Sequence, residues 1–301
     1  MRYVVTGAAG FIGSHLTEEL LADGHEVVAV DSFTDYYDAG LKQENAAAFD
    51  VSRLDLAEDE LDLDGFDGVF HLAGQPGVRA SFEDFDLYVR RNILATQKVF
   101  ERATQAAVRV VFASSSSVYG DAETYPTPEA ARPQPISPYG ITKLACEHLA
   151  HAYGLDAVML RYFTVYGPRQ RPDMAFARVI DALARGDSFE LYGDGLQSRS
   201  FTYVADAVAA TLAAMRRGTS GALYNVGGGS EATMLEAISI LEGVSGRPLD
   251  VRHVDAARGD VTRTRADVTR IRDAFGWEPR TALREGLAAM WSWAAARVAA
   301  A

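Results

Sequence analysis

A glycine-rich turn set between a strand and a helix constrains this chain more than any other feature. Arg2 to Thr6 reads as an apolar strand, Gly7-Ala8-Ala9-Gly10-Phe11-Ile12-Gly13 follows, and a helical pattern runs from Phe11 to Ala22. Glycines at this spacing let the backbone approach a pyrophosphate closely, and the helix N-terminus adds unpaired N–H groups and a favourable dipole. The next strand, Glu26 to Val30, ends at an acid, Asp31, placed to accept hydrogen bonds from ribose hydroxyls. A carboxylate there repels a 2′-phosphate, so the expected ligand is NAD rather than NADP. An ordinary tight turn beside a surface aspartate is the competing reading, and the order strand, turn, helix, acid argues against it.

Further strands read at Gly68 to Leu72, Val108 to Ala113 and Ala157 to Arg161, with helical patterns around Asp84 to Ala106 and Pro138 to Tyr153. Alternation of this kind predicts βαβ units and a Rossmann-type, doubly wound parallel sheet of the α/β class. The acidic span 31–67 reads as loops around a short strand ending near Asp55. After Gly167 the rhythm changes. Helices are expected at Val204 to Arg217, Ser230 to Val244, Val268 to Phe275 and Ala282 to Ala296. The expected division is a cofactor domain at 1–167 and a smaller substrate-binding region at 168–301, with 200–225 able to pack back on the first.

Two more positions near the cofactor carry open readings. Asp55 suits the adenine amino group, or equally the N-cap of a following helix. His71, in His71-Leu72-Ala73-Gly74, reads better as a satisfied, half-buried strand histidine than as a ligand.

Tyr139-Gly140-Ile141-Thr142-Lys143 puts a tyrosine and a lysine four apart on one helix face. A free tyrosine has a pKa near 10, but a neighbouring ammonium and a cationic nicotinamide both favour the phenolate. Only Lys42, Lys98 and Lys143 occur in the chain, which makes this placement informative. Ser114, Ser115, Ser116 and Ser117 end the fifth strand, at the sheet edge where doubly wound folds bind ligands. A solvated Tyr/Lys pair beside a serine turn would explain these residues in isolation, though not beside the glycine motif.

With these motifs together, the chain resembles the extended short-chain dehydrogenase/reductases, specifically the NAD-dependent sugar-nucleotide epimerases and dehydratases. The resemblance spans essentially the whole length: TGAAGFIG at 6–13, HLAG at 71–74, SSSSVYG at 114–120, PYGITK at 138–143, RYFTVYGPRQRPDMA at 161–175, GDGLQSRSFTYVADA at 193–207 and RGD at 258–260. It implies a catalytic set of Ser115, Tyr139 and Lys143. It implies cofactor contacts at Gly7, Gly10, Phe11, Ile12, Gly13, Asp31, Asp55, Leu56, Leu72, Ala73, Gly74, Asn92, Ser114, Tyr139, Lys143 and Tyr162. Substrate contacts are implied at Ser115, Ser116, Ser117, Tyr139, Thr164, Arg171, Arg199, Arg258 and Asp260, where Arg199 and Arg258 would face a diphosphate and Asp260 a ribose. A homodimer is a further expectation of the family.

The resemblance also implies a shared opening move, in which the tyrosine removes the sugar 4-hydroxyl proton while carbon 4 gives hydride to NAD. Dehydratases of the family place Asp-Glu where this chain has Ser116-Ser117, and decarboxylases carry Glu at the Ser117 position. Lacking both, the chain is expected to turn the 4-ketose over and return hydride to its other face. RYFTVYGPRQRPDMA and the segment Asp35-Tyr36-Tyr37-Asp38 look most like UDP-glucuronate 4-epimerases, with Arg171 expected to grip the sugar carboxylate through two parallel hydrogen bonds. A surface arginine in a polar loop is the alternative. A UDP-glucose/UDP-galactose 4-epimerase is the second enzyme reading, and a dinucleotide sensor that has lost catalysis is a third. The intact Ser115, Tyr139 and Lys143 argue against the sensor.

Composition sets outer limits. The 301 residues carry a formal net charge of -12, so long-range attraction to nucleic acid or anionic lipid is not expected. No window approaches the roughly 18 apolar residues of a membrane helix, and an N-terminus running straight into a strand argues against export. One cysteine, Cys146, excludes an internal disulfide or a cysteine metal cluster. No metal and a cytoplasmic location are the resulting expectations.

Overall fold

The computed structural model describes residues 1–256 and 259–300. β1 (Arg2–Thr6) leads through the glycine turn into α1 (Phe11–Ala22), followed by β2 (Glu26–Asp31), α2 (Ala39–Asn45), β3 (Val51–Arg53) and β4 (Gly68–His71). A helical run then comprises α3 (Phe85–Tyr88), a π-helical stretch at Val89–Leu94 and α4 (Ala95–Ala106). β5 (Arg109–Ser115), α5 (Pro138–Ala152) and β6 (Ala157–Tyr162) complete the alternation. The second half contributes β7 (Val165–Tyr166), α6 (Ala175–Arg185), β8 (Ser188–Tyr192), β9 (Ser198–Tyr203), α7 (Val204–Arg217) and β10 (Leu223–Val226). β11 (Ser230–Thr233), α8 (Met234–Ser245), β12 (Asp250–Val254), α9 (Thr269–Phe275) and α10 (Leu283–Ala300) close the chain.

Seven parallel strands form a Rossmann-type sheet in the order β10-β6-β5-β4-β1-β2-β3. Both faces are covered. Successive strand residues point to opposite faces, and Val5 accordingly packs with Leu16, Leu20, Phe70 and Ala210 while Val4 packs with Val69, Phe100, Val110 and Cys146. Strand order reverses between β1 and β4, and such a reversal opens a crevice at the carboxyl ends of the strands.

The second unit has its own core around Tyr166, Phe176, Phe201, Leu241 and Leu287, with a three-stranded sheet β11-β9-β7 and a pair β12-β8. The returning segment places β10 beside β6, and Val204, Val208, Ile271 and Phe275 join the core of the large sheet. We propose the same two-unit division at residue 167 that the sequence suggests, with this return included and with β7, just before the boundary, pairing into the second unit's sheet. No described helix is long and apolar enough to cross a membrane.

Four local expectations change. The stretch Ser230 to Val244 starts as a strand, because Ser230–Thr233 pairs antiparallel with β9 before a capping box between Thr233 and Glu236 opens α8. The 31–67 span holds α2, begun by the Asp38 side chain accepting from Gly40 N. α6 was not anticipated at all, and the helical run 84–106 is interrupted by the π-helical stretch.

One buried ion pair ties a helix to the sheet. Arg161 on β6 donates from Nε and Nη2 to Glu147 on α5 at 2.9 and 2.6 Å, and Ser114 Oγ donates to the same carboxylate at 2.5 Å. Both charged side chains are buried.

Candidate active site

A cavity of about 890 Å3 opens at the carboxyl edge of the large sheet. Gly7, at φ 70°, lies so near the strand-end loop that a Cβ would sit 2.8 Å from Ala73 N, and one on Gly13 would reach 2.1 Å from Gly7 O. No side chain caps α1 at Gly10, so its first-turn amides suit a phosphate. This cradle is one that side chains would fill, and it fits the pyrophosphate of a dinucleotide.

Asp31 is buried at the cavity wall, its carboxylate accepting from Ala9 N at 3.2 Å and Phe33 N at 2.8 Å. Lys42 Nζ stands 3.9 Å from Asp31 Oδ1 and is tied to Thr34 by two hydrogen bonds. A carboxylate fixed by these two backbone amides repels a second anion such as a 2′-phosphate. Enzyme stripped of cofactor is therefore expected to recover with NAD and not with NADP. Equal rescue by the two would detach Asp31 from cofactor choice.

Asp55 lines the cavity, but its carboxylate accepts from Ala57 N and from Arg90 Nη2. Those bonds cap a turn, since no helix follows it. His71 is fully buried rather than half-buried, with Nδ1 2.7 Å from Thr6 Oγ1 and Nε2 3.0 Å from Thr96 Oγ1. Burial, with Lys143 nearby, pushes its pKa down to about 3, so the ring is neutral.

Asn92 does not line the cavity. It sits buried in the π-helical stretch, accepts from Gln75 N at 2.6 Å, and donates to Gln75 O and Thr142 Oγ1. Those bonds hold the loop after β4 against α5, so we assign Asn92 a positioning role instead of cofactor contact. Leu56, Leu72, Ala73, Gly74 and Tyr162 do line it. The Tyr162 hydroxyl turns away, 2.6 Å from Thr211 Oγ1 on α7.

Ser115 at the end of β5, Ser116 and Ser117 in the turn after it, and Tyr139 and Lys143 on α5 converge on the cavity. Ser137 caps α5 through Gly140 N. A Cβ on Gly140 would lie 2.5 Å from Ser117 O, so only glycine lets the helix start press Tyr139 against the serine turn. Lys143 Nζ donates to Ala113 O at 2.8 Å, which fixes the ammonium beneath β5. Ser115 Oγ accepts from Ser117 N and donates to Ser117 Oγ. Ser114 also lines the cavity, but its hydroxyl is committed to Glu147. Thr164 lies at the rim with φ 24°, a region costly for a β-branched residue. Thr202 holds it there through bonds to Thr164 O and Phe163 O.

Arg171 reaches the cavity with its Nε and Nη2 bonded to Asp173, both at 3.0 Å. Arg199 Nη2 donates to Asp260 Oδ1 at 2.6 Å. Arg258 lies outside the described residues. Sequence reasoning missed Arg79, whose guanidinium lies 3.9 Å over the Tyr192 ring and 3.8 Å from Asp260, and Arg178, 5.6 Å from the same ring. Neither has a local signal, because Arg79 in the loop after β4 and Arg178 on α6 are brought together only by the fold. Arg79, Arg178 and Arg199 give this wall positive charge suited to a diphosphate.

Comparison with known proteins agrees with this geometry. The model of the NAD dependent epimerase/dehydratase family matches residues 3–227. The uncharacterized UDP-glucose epimerase YtcB of Bacillus subtilis (strain 168) is 40% identical over 303 residues, spanning 95% of this chain and 96% of its own. A solved UDP-glucuronic acid 4-epimerase from Bacillus cereus, in complex with UDP-glucuronic acid and NAD, matches with TM-score 0.94 and 39% identity over 98% of this chain and 99% of that one. MoeE5 in complex with UDP-glucuronic acid and NAD gives 0.89 and 44% over 99% and 100%, and MoeE5 is also solved with UDP-glucose and NAD. A family match over most of the chain, together with a glycine cradle and a Tyr/Lys/Ser cluster in one cavity, leads to one conclusion. The chain belongs to the NAD-dependent epimerase/dehydratase family and is an NAD-dependent nucleotide-sugar 4-epimerase.

Proposed function

We propose that the substrate pair is UDP-glucuronate and UDP-galacturonate. The observation that carries this reading is Arg171, a guanidinium at the cavity wall beside Tyr139, Thr164 and a serine turn free of carboxylates at Ser116 and Ser117. When bound, NAD accepts and returns hydride at sugar carbon 4. Tyr139 takes the proton of the 4-hydroxyl and gives it back on the other face. Lys143, one helical turn on, lines the same cavity with its ammonium held by Ala113 O. Ser115 holds the oxygen at carbon 4, and Arg199, with Arg79 and Arg178, holds the diphosphate while the sugar turns.

The chemistry calls for a firm hold on the carboxylate. A ketone at carbon 4 is β to the carboxylate at carbon 6, and β-keto acids lose carbon dioxide when the breaking bond aligns with the carbonyl π system. Arg171, helped by Thr164, Ser116 and Ser117, would keep that bond out of line. Loss of carbon dioxide sends the electron pair to the ketone as an enolate, carbon 5 then takes a proton, and the hydride taken from carbon 4 stays on the cofactor as NADH, so each released 4-keto-pentose consumes one equivalent of NAD.

Arg171→Ala is expected to cost about 2 to 4 kcal/mol in transition-state binding of UDP-glucuronate, because a charge-assisted bidentate contact goes. A 4-keto-pentose nucleotide should appear among the products, and UDP-glucose should be affected far less. Mass spectrometry on both sugars decides the matter. Equal loss on both, without decarboxylated product, would make the neutral-sugar epimerase the better reading, which the pairing of MoeE5 with UDP-glucose keeps in view.

A further inference from the structure

Arg171 does not meet the cavity as a free cation. Its Nε and Nη2 edge is taken by both oxygens of Asp173, at 3.0 Å each. A guanidinium has a second bidentate edge, formed by Nη1 and the other N–H of Nη2, and that edge is left for a second carboxylate. The arginine therefore has one resident partner and one place for a visitor.

Asp173 is itself anchored. Tyr36, from the loop after β2, donates to Asp173 Oδ2 at 3.3 Å. Burial and the adjacent Asp173 push the Tyr36 hydroxyl up to about 12, which keeps it a donor at any working pH. The Tyr36 hydroxyl also rests against Gly77 in the loop after β4, where φ is 99° and a Cβ would sit 2.2 Å away. The segments after β2 and β4 thus meet at the Tyr36 hydroxyl, which in turn bonds the Asp173 carboxylate in the loop before α6. That is more fixation than a surface ion pair receives.

We propose that Asp173, locked by Tyr36, is a positioning residue that fixes the plane of the Arg171 guanidinium, so that its open edge holds the substrate carboxylate in one orientation. The inference rests on the reading that Arg171 meets that carboxylate. Its physical content is that orientation and charge are separate contributions. A freely rotating cation would still attract a uronate, but it would not stop the carboxylate turning into line with the ketone.

The test uses the full-length enzyme with its cofactor, in three variants. Asp173→Ala is expected to lower kcat/KM on UDP-glucuronate about tenfold, the size of one oriented charge-assisted hydrogen bond, with the fall in kcat exceeding the rise in KM. Decarboxylated product should rise above the level of the unmodified enzyme, and the loss should be clearly larger than on UDP-glucose. Tyr36→Phe removes one oxygen and should give the same pattern at about threefold. Because it keeps the ring and the fold, it carries the test if Asp173→Ala proves unstable. A gain in uronate affinity and turnover in Asp173→Ala would overturn the proposal, since Asp173 would then be a competing plug. Equal losses on both sugars, or no added decarboxylation, would overturn it too. Arg171→Ala separates the two levels. If it selectively harms the uronate while the other variants do not, the positioning role falls and the substrate reading stands. If it harms both sugars alike, the substrate reading falls, and the positioning role with it.

Discussion

Tyr139→Phe is expected to lower kcat by about 10^2 to 10^4, the usual range for removing a positioned general acid or base. The substitution deletes one oxygen and leaves the ring, which stands edge-on to Tyr88 with centroids 6.4 Å apart. Lys143 keeps its bond to Ala113 O, and the glycine cradle is untouched. Cofactor content after purification should therefore match that of the unmodified protein while turnover of either sugar collapses. The fall should appear in kcat more than in KM, because the lost oxygen acts on the proton in flight and contributes little to ground-state grip. Activity within about tenfold of normal would remove Tyr139 as the base, because so small a loss lies below what proton transfer by a side chain supplies.

The largest expected change in stability comes from Glu147→Ala. Removing one partner of a buried pair leaves the other charge uncompensated, at a cost of about 3 to 5 kcal/mol. Arg161 would lose both bonds to Glu147, and Ser114 would lose its acceptor. A drop in melting temperature on the order of 10 °C is expected, read by calorimetry on the holoenzyme. Glu147→Gln keeps an acceptor for Ser114 and should fall between the two. A shift of less than about 2 °C for the alanine variant would mean that Arg161 finds another partner or water at little cost. Because the chain holds two cores, a single unfolding free energy is less informative than the order of the variants.

Much of this architecture is legible in local pattern. The strand, the glycine turn and the helix after it follow from residue types that tolerate one geometry, and β1, α1, α7 and the triad helix lie where the spacing puts them. α6 was readable too, since Phe176, Val179, Ile180 and Leu183 recur at the spacing of one helix face. Its arginine-rich approach masked the signal. The start of α8 carried a capping box in Thr233 and Glu236, yet the four residues before it form a strand only because β9 lies alongside. That partner is invisible locally.

The site divides the same way. Residues in motifs, such as Gly7, Gly13, Asp31, Tyr139 and Lys143, are specified by neighbours in sequence. Arg79 and Asp173 are not, because each owes its place to a loop packed against a distant segment, and Lys42 owes its place to a short helix that the acidic 31–67 span does not announce. Asn92 is different: a family position suggests a cofactor contact, and its bonds to Gln75 and Thr142 are the ground on which we propose a positioning role instead.

The return of β10 to the edge of the large sheet has a consequence for how the molecule is made. The ribosome delivers β6 well before β10, and the segment between them includes β7, α6, β8 and β9 of the other unit. Until Leu223–Val226 emerges, the outer edge of β6 lacks its ladder partner, and the sheet face covered by α7 stays bare until Val204–Arg217 is out. Parallel pairing over such a distance is slow, because loop closure must precede any gain from contact. Between the delivery of β6 and that of β10 the nascent chain thus carries an unpaired strand edge next to an apolar face, the kind of surface that chaperones bind. Vectorial synthesis therefore favours no early, self-sufficient first half, and the cofactor crevice acquires its final walls only when nearly the whole polypeptide is present.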